Sequence, residues 1–163
     1  MSDKNDSLEI IGRSAELVFV DFSDVRVPAK IDTGAYRSAI HATDIHIDDD
    51  GVLHFRILGD HPVCEEAAFD ASTNDYKVVS ISNSFGDKED RYEVKLRIKL
   101  GEQEYVTPFT LANRGRKIYP LLLGRKAIKN RYIVDVTKCG IDRVALKEKY
   151  KINLPNDEEQ EDD

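Results

Sequence analysis

The chain has 163 residues, 40% of them hydrophobic and 34% charged, with a formal net charge of -7. That is long enough to bury a core without disulfides or a structural metal, and too apolar for a disordered protein. Six of its 31 acids fall within the last seven residues, so the body is close to neutral and shows no basic stripe of the kind that nucleic acid demands.

In chain order, residues 1–7 read as a disordered polar end. The opening MSDKNDSLEI holds no apolar signal core, and no later run approaches the ~18 apolar residues of a membrane span. The expectation is a cytoplasmic protein with no membrane partner. A single domain is expected over 8–152. LEIIG, ELVFVDF and VRVPAKI are short runs rich in Val, Ile and Phe that predict strands. IHIDDDGVLHFRIL predicts two strands joined by a turn at Asp50-Gly51. YKVVSIS and RYEVKLRIKLGEQEYVTPFTLA add alternating strands, the second broken by a turn at Gly101. Helical spacing is confined to 125–132 and 142–150. Beyond Pro155, residues 153–163 form a polar acidic tail expected to be disordered. Many short strands with few short helices predict an all-β barrel or sandwich.

One stretch stands apart. Val27 to Ile31 runs apolar into Asp32-Thr33-Gly34-Ala35, and Ser38-Ala39-Ile40 leads out. Asp-Thr-Gly alone is a common turn tripeptide. Its apolar flanks are not those of an exposed turn. Gly34 offers a backbone geometry closed to other residues, and small Ala35 permits close approach of another segment. A second apolar run, YPLLLGRKAI, Tyr119 to Ile128, ends in Gly124-Arg125 before a short helix.

This pairing of an apolar strand into Asp-Thr-Gly-Ala with a later Leu-Leu-Gly-Arg resembles the retropepsin-like aspartic peptidases. More closely, from Ile11-Gly12-Arg13 to Asp135, it resembles a bacterial family labelled ATP-dependent zinc proteases. Members of that family accompany ATP-grasp ligases of the ribosomal-protein glutamate-ligase type. The resemblance implies a closed acid-protease-like β-barrel of retropepsin type. It implies Asp32 as the catalytic residue, Thr33 hydrogen-bonding across a dimer, Gly34 presenting backbone to a bound peptide, Gly124 allowing contact under the loop, and Arg125 bracing it. Retropepsins carry an acid two residues after the Gly; here Tyr36 stands there, followed by Arg37. Both, with His41, are candidates for lining the site.

An aspartic peptidase needs two carboxylates sharing one proton. No second Asp-Thr-Gly exists; FDAST and VDVTK lack the glycine. The partner carboxylate is therefore expected from Asp32 of a second copy, in a homodimer acting on a peptide or protein substrate. The flap that closes over such a substrate is expected in either SISNSFGDKEDRYEV or HIDDDGVLHF. The span between Asp32 and Gly124 predicts extra strands or loops on the barrel.

A zinc site is not expected. His41, His46, His54 and His61, with Cys64, show neither H-E-x-x-H nor paired C-x-x-C spacing. No phosphate-binding G-x-x-x-x-G-K-[ST] loop exists, so any ATP dependence would belong to a partner, and no cofactor is expected. Cys64 and Cys139 are expected as reduced thiols. The competing reading is a catalytically silent binding or regulatory module acting with an ATP-grasp ligase.

Overall fold

The computed structural model describes residues 8–83 and 85–152. The ends expected to be disordered, 1–7 and 153–163, lie outside the described residues. The strands are β1 (Glu9–Ile11), β2 (Ser14–Phe19), β3 (Val27–Ile31), β4 (Ser38–Ile47), β5 (Leu53–Ile57), β6 (Phe69–Thr73), β7 (Tyr76–Ser82), β8 (Lys88–Leu100), β9 (Gln103–Ala112), β10 (Leu121–Leu123) and β11 (Tyr132–Val134). Two helices, α1 (Arg125–Ile128) and α2 (Arg143–Tyr150), complete the regular elements of the described residues with one short 3-10 turn. No helix among the described residues is long and apolar enough to cross a membrane.

Six strands close on themselves in the order β10, β3, β2, β8, β9, β4 and back to β10. The expected all-β barrel is the fold. Alternation explains its lining: in β8, Val94, Leu96, Ile98 and Leu100 are buried while Lys95, Arg97 and Lys99 face solvent. Opposing side chains fill the interior, among them Leu17, Phe19, Ile40, Phe109 and Leu121. Phe19 and Phe109 meet edge to face at 6.0 Å. Each such side chain contributes about 1.5–3 kcal/mol by burial.

The barrel carries two extensions. The first half of β4 is buried and the second exposed, with a register shift between Thr43 and His46 and Asp44 at φ 54. That bulge turns β4 out of the barrel, where β5 and β6 add to it. Its hairpin turn falls where expected, Gly51 taking φ 82 and Asp48 Oδ1 accepting from Asp50 N and Val52 N. The second extension is the β7–β8 hairpin. Residues 93–100 of β8 pair with β9 inside the barrel, whereas 88–94 pair with β7 outside it.

Two elements differ from the sequence reading. The helix expected over 125–132 is a single turn, because Asn130 at φ 67 reverses the chain and 132–134 become β11. Parallel pairing of Ile133 with Ile10 and burial of the Tyr132 ring, whose hydroxyl donates to Leu100 O at 2.8 Å, outweigh helix propensity there. FDAST is strand β6, pairing with β5. The helix expected over 142–150 forms at 143–150, with Asp142 as its cap.

Candidate active site

The site is built by insertion of β10 between β3 and β4, parallel to the first and antiparallel to the second. The chain must then cross over the end of β10, and residues 32–37 make that crossing. Asp32 N donates to Leu123 O (2.8 Å), anchoring the loop where β3 ends. The loop folds on itself through Gly34 N to Asp32 Oδ1 (3.0 Å) and Ala35 N to Asp32 O (3.2 Å).

The Gly124-Arg125 segment supports the loop from below. Arg125 N donates to Ala35 O (2.8 Å) and Lys126 N to Tyr36 O (3.0 Å). Arg125 Nη1 donates to Thr33 O (3.0 Å), and Gly124 N to Ser38 Oγ (3.1 Å). A Cβ on Gly124 would lie 2.5 Å from Arg37 O and 2.9 Å from Ala35 O, so only glycine fits. Gly34 is constrained differently from the sequence reading: it does not use a positive φ, but a Cβ there would sit 3.3 Å from Asp32 Oδ1.

Asp32 is half-buried, with Thr33, Gly34 and Tyr36 exposed. Cations surround the loop. Arg37, Arg125 and Lys126 lie 5.7, 5.9 and 5.6 Å from the centre of the Tyr36 ring. With no acid at position 36, Arg125 takes a backbone carbonyl instead of a carboxylate. Arg37 pairs with Glu93 at 2.8 Å. Arg114 carries its charge in the field of Asp32; burial and the neighbouring Arg91 push its guanidinium down to about 10, against the pull of Asp32, so it stays protonated at neutral pH.

His41 is buried, and both ring nitrogens are engaged. Nδ1 accepts from Arg114 N (2.9 Å), which leaves Nε2 to donate to Gly59 O (2.9 Å). Its ring contacts that of His61 at 5.1 Å. His61 Nδ1 accepts from Val63 N, and its Nε2 reaches Arg114 O and Lys117 O. Two neutral imidazoles thus hold the Arg114 backbone from both sides. Burial pushes the His61 imidazole down to about 4 and lowers that of His41.

These residues do not suit zinc. The nitrogens of His41 and His61 are spent on backbone groups. Cys64 Sγ donates to Arg26 O (3.2 Å), burial raises its thiol, and it lies 3.3 Å from Tyr150 Oη. His46 and His54 stack across β4 and β5 at 4.9 Å, and His54 Nε2 pairs with Asp48 Oδ2 at 2.8 Å. Among the described residues no three metal-binding side chains converge. Cys64 and Cys139 are both free.

The sequence reading missed Glu93 and Arg114. Glu93 occupies the solvent-facing phase of the β8 alternation and is buried where the side chains of Arg37, Lys77 and Lys126 converge on it. Arg114 sits among other cations in a connecting segment, and nothing local marks it.

The family of the retropepsin-like aspartic endopeptidase RimB matches residues 10–144. The chain belongs to this RimB-like family. Similar proteins include one from Desulfotalea psychrophila, named a probable alpha-L-glutamate ligase, 27% identical over 150 residues. That match covers 84% of this chain and 30% of the relative. A Shewanella pealeana protein of the same name is 29% identical over 143 residues, 80% of this chain and 29% of the relative. The RimB-like chain therefore spans about three tenths of the length of the curated relatives it matches. A Legionella pneumophila protein described as of unknown function, with a crystal structure, is 28% identical at TM-score 0.61, covering 81% of this chain and 96% of that one.

Proposed function

We propose that this RimB-like chain is an aspartic-type endopeptidase whose site is completed by Asp32 of a second copy. The observation that carries the reading is the Asp32-Thr33-Gly34 loop, held over β10 by Gly124 and Arg125 with its carboxylate open to solvent. On a two-fold axis the two loops would meet and their carboxylates share one proton. The ionised one takes a proton from water as its oxygen adds to the substrate carbonyl carbon. The protonated one donates to the carbonyl oxygen. Collapse of the tetrahedral species then breaks the C–N bond as the amine takes up a proton. Thr33 would bond across the axis, and the β7–β8 hairpin, rooted against the loop through Glu93, is our choice of flap.

Arg37, Arg125 and Lys126 around the exposed Tyr36 give the site a positive rim, which favours acidic peptides. Together with relatives named glutamate ligases, this supports glutamyl-rich tails as substrate and an ATP-grasp ligase as partner, ATP being used there. The test is cleavage of glutamate-rich and neutral peptides by the wild type and by Asp32→Asn. We expect loss of cleavage with fold and mass retained; unchanged cleavage would remove Asp32 from the mechanism. One observation favours a second reading: a domain of this kind spans only part of the ligase-named relatives, as a regulatory module would. A wild-type chain that binds acidic peptide, with Asp32→Asn binding as well, and cleaves none would support it.

A further inference from the structure

Glu93 is a carboxylate 4% exposed that the proposed chemistry does not use. It stands where β8 passes from the barrel to the hairpin, opposite Thr110 of β9 on one side and Lys77 of β7 on the other. A buried carboxylate is unfavourable unless its charge is met, and this one is met three times. Oε2 accepts from Arg37 Nη1 at 2.8 Å. Oε1 faces Lys77 Nζ at 3.5 Å and Lys126 Nζ at 3.8 Å.

The three cations come from three different parts of the site. Arg37 closes the Asp32 loop, Lys126 lies in α1 just after Gly124-Arg125, and Lys77 belongs to the outer strand of the hairpin. Arg37 and Lys126 are 29% exposed at the side chain, so neither is simply solvated when the carboxylate is lost. Both also flank the Tyr36 ring. One buried anion therefore holds loop, helix and hairpin in a single arrangement.

We propose that Glu93 is a positioning residue, a buried counter-ion that fixes the Asp32 loop against the root of the β7–β8 hairpin. Neutralising it frees two segments distant in sequence while the barrel stays intact. The proposal rests on the peptidase reading only for its effect on turnover.

Amide hydrogen exchange on the full chain tests it, comparing wild type, Glu93→Gln and Glu93→Asp. In Glu93→Gln, amides of 33–37 and of β7 should exchange about tenfold faster or more, those of the barrel strands β2 and β9 staying as in wild type. Glu93→Asp, which keeps the charge, should fall between. Misplacing the loop should lower kcat by about tenfold or more, with KM changing less. Exchange unchanged at 33–37 and β7, or raised evenly over the whole barrel, would overturn the proposal whatever happens to cleavage. Should Glu93→Gln fail to fold, Lys77→Gln and Arg37→Gln cut single arms. The first should loosen β7 alone and the second 33–37 alone; no rise in either case would overturn it. Failure of the peptidase reading is separately visible, as cleavage insensitive to Asp32→Asn, because exchange is read without turnover.

Discussion

Two residues of the loop region have opposite claims on stability and chemistry. Gly124 touches no substrate in the proposed mechanism, yet the place a Cβ would take is already filled by the carbonyls of Ala35 and Arg37. Backbone cannot swing aside as a side chain can, so Gly124→Ala should destabilise the fold by about 1–3 kcal/mol and displace the loop. A urea titration measures the first effect, and faster exchange of the Ala35 amide the second. Asp32 is the converse. It is half-buried and makes one backbone bond from its side chain, so Asp32→Asn should shift stability by less than about 1 kcal/mol while abolishing cleavage. A variant that lost both together would place Asp32 among structural residues.

At the scale of elements, the α2 helix and the histidine clamp make separate predictions. Asp142 Oδ1 accepts from Val144 N at the helix start, and Asp142→Ala should cost about 1 kcal/mol of stability in a thermal melt. The clamp is pH-dependent. His61 falls from an ordinary 6.5 to about 4 in the fold, so the unfolded chain takes up the proton first. Stability from this group is complete above 6.5 and lost as pH drops from there towards 4, by about 3 kcal/mol at the limit. Denaturation curves at pH 7 and pH 4.5 should show that loss in wild type and a reduced slope in His61→Gln. An equal slope would mean that His61 is not held neutral. The same elements show what a sequence yields to reading. Strands with clean two-residue alternation, such as β8 and β9, and turns fixed by Asp50-Gly51 and Gly101, depend on neighbours in the chain and were legible. So was the Asp32 loop, whose apolar flanks and glycine are local marks. β11 was not, because the pairing of Ile133 with Ile10 lies across the chain and overrides a helix-forming run. The placement of His41 was hidden for the same reason: its partners Gly59 and Arg114 come from two distant segments.

For the whole molecule, the decisive property is how many chains make a site. A single chain offers one Asp-Thr-Gly loop with its carboxylate half-buried, and the proposed two-fold assembly would bring a second to it. On the proposed two-chain mechanism the association state would control activity, since each dissociated chain would hold half of the machinery. Two measurements read this independently. In a dilution series followed by sedimentation, specific activity should fall in step with the dimer fraction rather than stay constant. Mixing supplies the stronger one. When wild type and Asp32→Asn are combined in equal amounts and allowed to exchange subunits, random pairing leaves about one quarter of dimers with two native carboxylates. Activity should therefore drop to about one quarter of that of the same total chain as wild type, whereas chains acting alone would retain about one half. A value near one half, in a preparation whose mass shows a dimer, would mean that each Asp32 works without its counterpart. The two-carboxylate mechanism would then give way to one in which a protonated group of the same chain supplies the acid.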